Sequence, residues 1–253
     1  MPNASSLSIA VPCYNEEKNI PLIVGRFTEA LTRYKGHARI EILLVDNGSR
    51  DGTAAAMERE FSVSKYKDIF RRVHVVDNKG YGFGILSGLK EAKGEVLAWT
   101  HADMQTDPYD VFKAFELFVS DKETLDPAKL LIKGRRVGRK FGDWAFTCGM
   151  SVISSVILGA WLHDINAQPK LFHRSLFESM KDPPYDFSLD LFLVYLAKRR
   201  GIRVRLIDVV FLPRIHGESK WAFNWRSKYK TILRTIRYIV ALRQDLALKG
   251  DAV

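Results

Sequence analysis

His101, Asp103 and Gln105 stand two residues apart in the run His101-Ala102-Asp103-Met104-Gln105-Thr106-Asp107-Pro108. On an extended segment that spacing points three side chains the same way. An imidazole, a carboxylate and an amide so aligned could hold a divalent cation against a diphosphate, with phosphate oxygens and waters completing the shell. The cation would neutralise charge developing on a leaving diphosphate, which is Lewis-acid assistance. Two other polar clusters stand upstream, Pro12-Cys13-Tyr14-Asn15-Glu16-Glu17 and Asp46-Asn47-Gly48-Ser49-Arg50-Asp51-Gly52-Thr53. Glu16 and Glu17 also read as an acid pair at a helix N-terminus, favoured by the macrodipole, and for Glu17 that is the expected role. Asp190, in Phe187-Ser188-Leu189-Asp190, reads both as a general base and as a first-turn helix acid.

The elements that must present these clusters follow from periodicity. Strands are expected over residues 7–11, 40–45, 73–76 and 96–99, with helices over 19–34, 52–61 and 84–92 between them and a further helix starting near Pro108. Such alternation implies parallel strands with right-handed crossovers. The second half is less regular: a strand over 130–133, a long helix within 142–162, a helix over 189–200, a strand over 204–211 and a basic helical tail over 227–248. In open α/β sheets ligands bind at the carboxyl ends of strands. The three polar clusters fall there, after the first, second and fourth expected strands.

Three familiar site types are absent. Gly80-Tyr81-Gly82-Phe83-Gly84 lacks the third glycine of a dinucleotide fingerprint, since Ile85 and Ser87 occupy the places it would need. There is no G-x-x-x-x-G-K-[ST] phosphate loop and no G-x-S-x-G elbow. The histidines show no H-E-x-x-H spacing.

What remains resembles family-2 glycosyltransferases in one consistent order over residues 7–230. Val11-Pro12-Cys13-Tyr14-Asn15-Glu16 is similar to their V-P-x-Y-N-E, and Val45 to Thr53 to their V-D-D-G-S-x-D-G-T. Asn78-Lys79-Gly80-Tyr81-Gly82 with Gly88, Ala92 and Gly94 resembles the glycine-rich stretch that leads into the D-A-D-x-Q-x-x-P metal motif. Arg214-Ile215-His216-Gly217-Glu218-Ser219-Lys220 resembles the R-x-x-G-x-S-K of dolichyl-phosphate mannose synthases and bacterial polyprenyl-phosphate glycosyltransferases.

The resemblance implies a GT-A, Rossmann-like α/β fold with a mostly parallel sheet. It implies that Asp46 accepts the ring N–H of the donor's base while Pro12 and Tyr14 pack on that base. Glu16 is implied at the nucleoside, and Ala102 and Asp103 at the nucleotide sugar. Asp103, with His101 and Gln105, is implied to hold Mn2+ or Mg2+. His101 stands where the family has Asp, and imidazole favours Mn2+. Arg136, in a G-x-R-like Lys133-Gly134-Arg135-Arg136, is implied near phosphate, as are Arg214, Ser219 and Lys220; Arg139 and Lys140 read as a solvated face. The implied activity is inverting transfer of one sugar from a nucleotide-diphospho-sugar to a polyprenyl phosphate. The alternative is transfer to a hydroxyl of a lipid-linked or lipopolysaccharide glycan, for which Asp190 or Asp164 would serve as base. An inactive nucleotide-sugar-binding protein is the remote third reading.

Composition bounds the rest. The 253 residues fit one domain, taken as 1–225, with a basic C-terminal helix over 226–253. A net charge of +10 points to nucleic acid, an anionic membrane or phosphorylated small molecules. No RRM, KH or zinc-finger signature supports nucleic acid; a basic surface that only aids solubility is the other reading. Two cysteines far apart exclude a disulfide scaffold and a Cys-based zinc site, so a cytoplasmic setting is expected. The first apolar run is too brief for a signal peptide. Residues 144–162 carry no charge, yet approach spanning length only by including Thr147, Ser151, Ser154, Ser155 and two glycines; a buried or interfacial helix is expected. Arg214, Lys220, Arg226, Lys228 and Lys230 crowd around Trp221, Phe223 and Trp225. Cations beside aromatic rings suit the cytoplasmic face of a membrane; a solvated basic helix with its aromatics in the core is the other reading.

Overall fold

A computed structural model describes residues 6–121, 125–138, 141–212, 233 and 236–244, with side chains for all but 141–148 and 150. One seven-stranded sheet has the order β3-β2-β1-β4-β6-β5-β7. Its strands are β1 (Ser6–Cys13), β2 (Arg39–Asn47), β3 (Phe70–Val75), β4 (Val96–Trp99), β5 (Leu130–Val137), β6 (Lys170–His173) and β7 (Arg203–Val210). The helices are α1 (Ile20–Arg33), α2 (Thr53–Val63), α3 (Tyr81–Glu91), α4 (Tyr109–Asp121), α5 (Phe141–Leu158), α6 (Arg174–Glu178) and α7 (Ser188–Arg199).

β1 and β4 are buried on both faces, which explains their unbroken apolar runs. α1, α2 and α4 pack on one face of the sheet, around Ile23, Phe27, Met57, Phe112 and Phe115. α3, α5, α6 and α7 cover the other, around Ile85, Leu89, Leu158, Leu176 and Leu193. α1 shows why: Ile20, Ile23, Val24, Phe27, Ala30 and Leu31 form one buried stripe at helical spacing. Residues 236–244 are helical, and Ile239 and Leu242 are buried in the second core. That part of the expected C-terminal appendage is packed on the domain.

The β1–β2, β1–β4, β2–β3 and β5–β7 pairs are parallel, as expected for a mostly parallel sheet. β6 runs antiparallel between β4 and β5 and has no counterpart in the sequence reading. Unlike β4, an apolar run of the same length, β6 has only Leu171 and Phe172 between Lys170 and His173, too little for an apolar signal. Strand order reverses at β1, so a crevice opens at the carboxyl ends of β1 and β4. The same edge carries the ends of β2 and β5 and, because β6 is reversed, the start of β6 at Lys170.

Candidate active site

The loops after β1 and β2 interlock on one side of the crevice. Asp46 is buried, and its Oδ1 accepts the Ser49 N–H at 3.1 Å, closing the turn after β2. Its Oδ2 lies 3.7 Å from Nδ1 of His74, an exposed residue paired with it in the β2–β3 register. Asn15, at φ 56°, donates its N–H to Ser49 Oγ at 3.1 Å and accepts the Arg50 N–H at 2.9 Å. Glu16 donates its N–H to Thr53 Oγ1, and the Glu17 carboxylate accepts the Gly52 N–H. The helix-terminus reading of Glu16 and Glu17 is corrected here. α1 starts at Ile20 with no acid in its first turn, and both glutamates serve the loop instead. The Glu16 carboxylate takes a hydrogen bond from Asn19 Nδ2. Pro12 and Tyr14 are half-buried along the same loop.

The segment after β4 does not run extended. Met104 takes φ 59°, so the alternation that would align His101, Asp103 and Gln105 is broken. Asp103 Oδ1 accepts the Gln105 N–H at 3.2 Å, while Gln105 donates its Nε2 to the Leu212 carbonyl at 3.1 Å. Ala102 is buried. His101 lies against the Tyr81 ring, with centroids 5.4 Å apart. Burial lowers its pKa, the Asp103 and Asp190 carboxylates pull the other way, and Lys170 and Arg136 add to the lowering. A neutral imidazole keeps a lone pair for a metal. Among the described residues no group of three His, Cys, Asp or Glu side chains could hold a metal alone. His101 and Asp103 therefore fit a cation only as a partial shell that diphosphate oxygens must complete.

The opposite wall comes from the second half of the chain. Arg136, at the end of β5, donates its backbone N–H to Asp164 Oδ2 at 2.7 Å, and its Nε and Nη2 to Oδ1 at 2.9 and 2.5 Å. Its guanidinium also lies over the Phe211 ring at 5.2 Å. Asp190, in the first turn of α7, is 1% exposed, and its Oδ1 gathers Trp99 Nε1 at 3.2 Å, Gln168 Nε2 at 2.9 Å and Lys170 Nζ at 3.1 Å. Its Oδ2 is buried without a hydrogen-bond partner. Gln168 Nε2 also donates to the Tyr81 hydroxyl at 3.2 Å. Burial, then Asp190 and Asp103, hold that phenol well above its ordinary pKa.

Asp46, His101, Asp103, Arg136 and Asp190 thus come from separate elements to one sheet edge. Gln168, Lys170 and Lys133 were not singled out in the sequence. A lysine at the edge of an apolar run, closing Leu131-Ile132-Lys133 and opening Lys170-Leu171-Phe172, was the available signal. Arg139, Lys140, Arg214, Ser219, Lys220, Trp221, Phe223, Trp225, Arg226, Lys228 and Lys230 lie outside the described residues.

The glycosyl transferase family 2 profile matches residues 8–155, and the chain belongs to that family. An undecaprenyl-phosphate 4-deoxy-4-formamido-L-arabinose transferase of Pseudomonas savastanoi pv. phaseolicola is 37% identical over 220 residues, covering 85% of this chain and 60% of that protein. The Pseudomonas paraeruginosa protein of the same name is 28% identical over 219 residues, with the same coverage. The chain thus spans about 60% of the length of these curated relatives. Among solved structures, glucosyl-3-phosphoglycerate synthase from Mycobacterium tuberculosis, in complex with Mn2+, UDP and glucosyl-3-phosphoglycerate, superposes with a TM-score of 0.66 at 16% identity, covering 94% of this chain and 80% of that one. A complex of the same enzyme with Mg2+ and UDP gives 0.66 at 16% identity. The fold is that of the GT-A glycosyltransferases.

Proposed function

We propose that this protein moves one sugar from a nucleotide-diphospho-sugar to a polyprenyl phosphate, with inversion at the anomeric carbon. A phosphate oxygen of the acceptor attacks that carbon, the bond to the donor's β-phosphate oxygen breaks, and the nucleoside diphosphate leaves. The nucleophile is already ionised at neutral pH, so no protein base is required. The observation that carries this choice is the state of the two candidate bases. Asp164 is committed to Arg136 through both oxygens. Asp190 is buried, with its contacts on one oxygen and the other enclosed. A hydroxyl acceptor would need one of them to receive a proton. The undecaprenyl-phosphate relatives support the same acceptor.

Within this reading Asp46 takes the ring N–H of the donor's base, beside Pro12 and Tyr14, and Glu16 faces the nucleoside. Arg136, held in one orientation by Asp164, receives phosphate; a guanidinium suits it because its donors are planar and paired. His101 and Asp103 would hold a divalent cation, which when bound supplies charge neutralisation for the departing diphosphate.

The acceptor reaches the protein at a membrane surface. Among the described side chains of α5, Ser151, Ser154 and Ser155 are buried together with Leu158, while Val152, Ile153 and Val156 are exposed. Trp161, 73% exposed, continues this face. No helix among the described residues is long and apolar enough to cross a membrane. An apolar helix face edged by tryptophan suits the headgroup boundary.

The test compares a short polyprenyl phosphate with the corresponding polyprenol, each offered with a panel of sugar nucleotides and Mn2+. Sugar should transfer to the phosphate only. Comparable transfer to the alcohol would replace this reading with the hydroxyl one.

A further inference from the structure

The β5–β6 register sets Lys133 directly opposite Lys170, and the two side chains are 1% and 0% exposed. Like charges directly opposite on adjacent strands repel, and burial removes the water that would screen them. The two lysines solve this differently. Lys170 uses three donors, to the carbonyls of Ile165 and Ala167 at 2.9 and 2.7 Å and to Asp190 at 3.1 Å. Lys133 donates to one neutral group, the carbonyl of Gly134 at 2.9 Å.

The carboxylates facing Lys133 are already paired with other cations. Facing Lys133 are Lys170 from β6, Arg136 from β5, Asp164 from the loop before β6 and Asp190 from α7. Asp164 pairs with Arg136 and Asp190 with Lys170, so neither carboxylate forms an ion pair with Lys133. Of these five described groups, Lys133 is the cation that forms no ion pair. Burial first, then Lys170, hold the Lys133 pKa down to about 7, with Arg136 adding and the two carboxylates opposing. A lysine with a purely structural role would be matched as Lys170 is.

We propose that Lys133 is a positioning residue that takes up a proton when a phosphate anion binds at Arg136, so that the site gains a positive charge as the negative charge arrives. Arg136 keeps 13% of its side chain exposed at the crevice, and an anion there lies in the field of Lys133 without touching it. The ammonium then strengthens the hold on the acceptor's phosphate. The inference rests on the phosphate-acceptor reading above and names the group that links acceptor binding to pH.

The experiment is calorimetric titration with geranyl phosphate at pH 8, in two buffers of different ionisation enthalpy. The probe's second ionisation, with a pKa of about 6, is complete at that pH, so it contributes no proton. The expected result is net proton uptake by the wild-type protein. Affinity should fall by up to about tenfold per pH unit above pH 8. Lys133→Met should take up no proton and lose that pH dependence. Binding without proton uptake overturns this inference and leaves the acceptor reading standing, as does undiminished uptake in Lys133→Met. Absence of binding under all conditions overturns both. Should Lys133→Met fail to fold, Lys133→Gln takes its place, with the same expected loss of proton uptake.

Discussion

Asp46 is held by its own turn: one carboxylate oxygen closes the loop through Ser49 and the other faces His74. Asp46→Asn retains an oxygen for the Ser49 N–H, so the fold should persist while the charged hydrogen bond proposed to the base is lost. Such a bond is worth about 1.5–3 kcal/mol, so donor affinity should fall roughly ten- to a hundredfold in calorimetry, and an unchanged dissociation constant would remove Asp46 from the base site. Lys133 makes a second prediction at this scale. Its pKa of about 7 in the folded protein lies below the 10.5 of a free lysine, so between those limits the unfolded chain binds more protons. Stability should therefore rise with pH across that window, by up to about 1.4 kcal/mol per unit. Below it the full penalty of the buried charge remains. Urea titrations from pH 7 to 10 should show this slope in the wild-type protein and a shallower one in Lys133→Met; parallel slopes would mean that Lys133 is not held deprotonated.

Among the elements, the described part of α5 departs from the usual rule, with Ser151, Ser154 and Ser155 buried beside Leu158 and Val152, Ile153 and Val156 toward the outside. Charging that outer face with Val156→Glu should cut sedimentation with anionic vesicles by about tenfold, since fully burying such a side chain is worth roughly 1.5–3 kcal/mol. The melting temperature should hardly move, because Val156 is 74% exposed. Equal vesicle binding by both proteins would put the membrane contact elsewhere. This departure was beyond the sequence: an uncharged stretch shows length and apolarity, but which side faces the core depends on what packs against it. The strand–helix alternation of the first half, by contrast, was readable because each parallel strand is an apolar run and each helix carries one buried stripe. β6 was missed because only two of its four residues are apolar, and with it went Lys170 and the preceding Gln168. The alignment of His101, Asp103 and Gln105 failed on Met104, whose positive φ is uncommon outside glycine. Asp46, Asp103 and Arg136 do lie at the expected strand ends, because a polar residue ending a buried strand has few other places to go.

At the level of the whole molecule, the reversal of strand order at β1 gathers residues from far along the chain around one crevice. The loops after β1 and β2 form the side assigned to the nucleotide. The Arg136–Asp164 and Lys170–Asp190 pairs form the side assigned to the acceptor. His101 and Asp103 stand after β4, between these walls. In the proposed reaction the acceptor phosphate is already ionised and displaces the nucleoside diphosphate in a single step, which inverts the anomeric carbon. The most direct measurement is therefore the anomeric configuration of the sugar recovered on polyprenyl phosphate, determined by NMR, from a donor of known configuration. The predicted product is a polyprenyl-phosphate sugar of opposite configuration, formed by the wild-type protein with Mn2+ and lost in Asp103→Ala. A product of retained configuration would contradict this account.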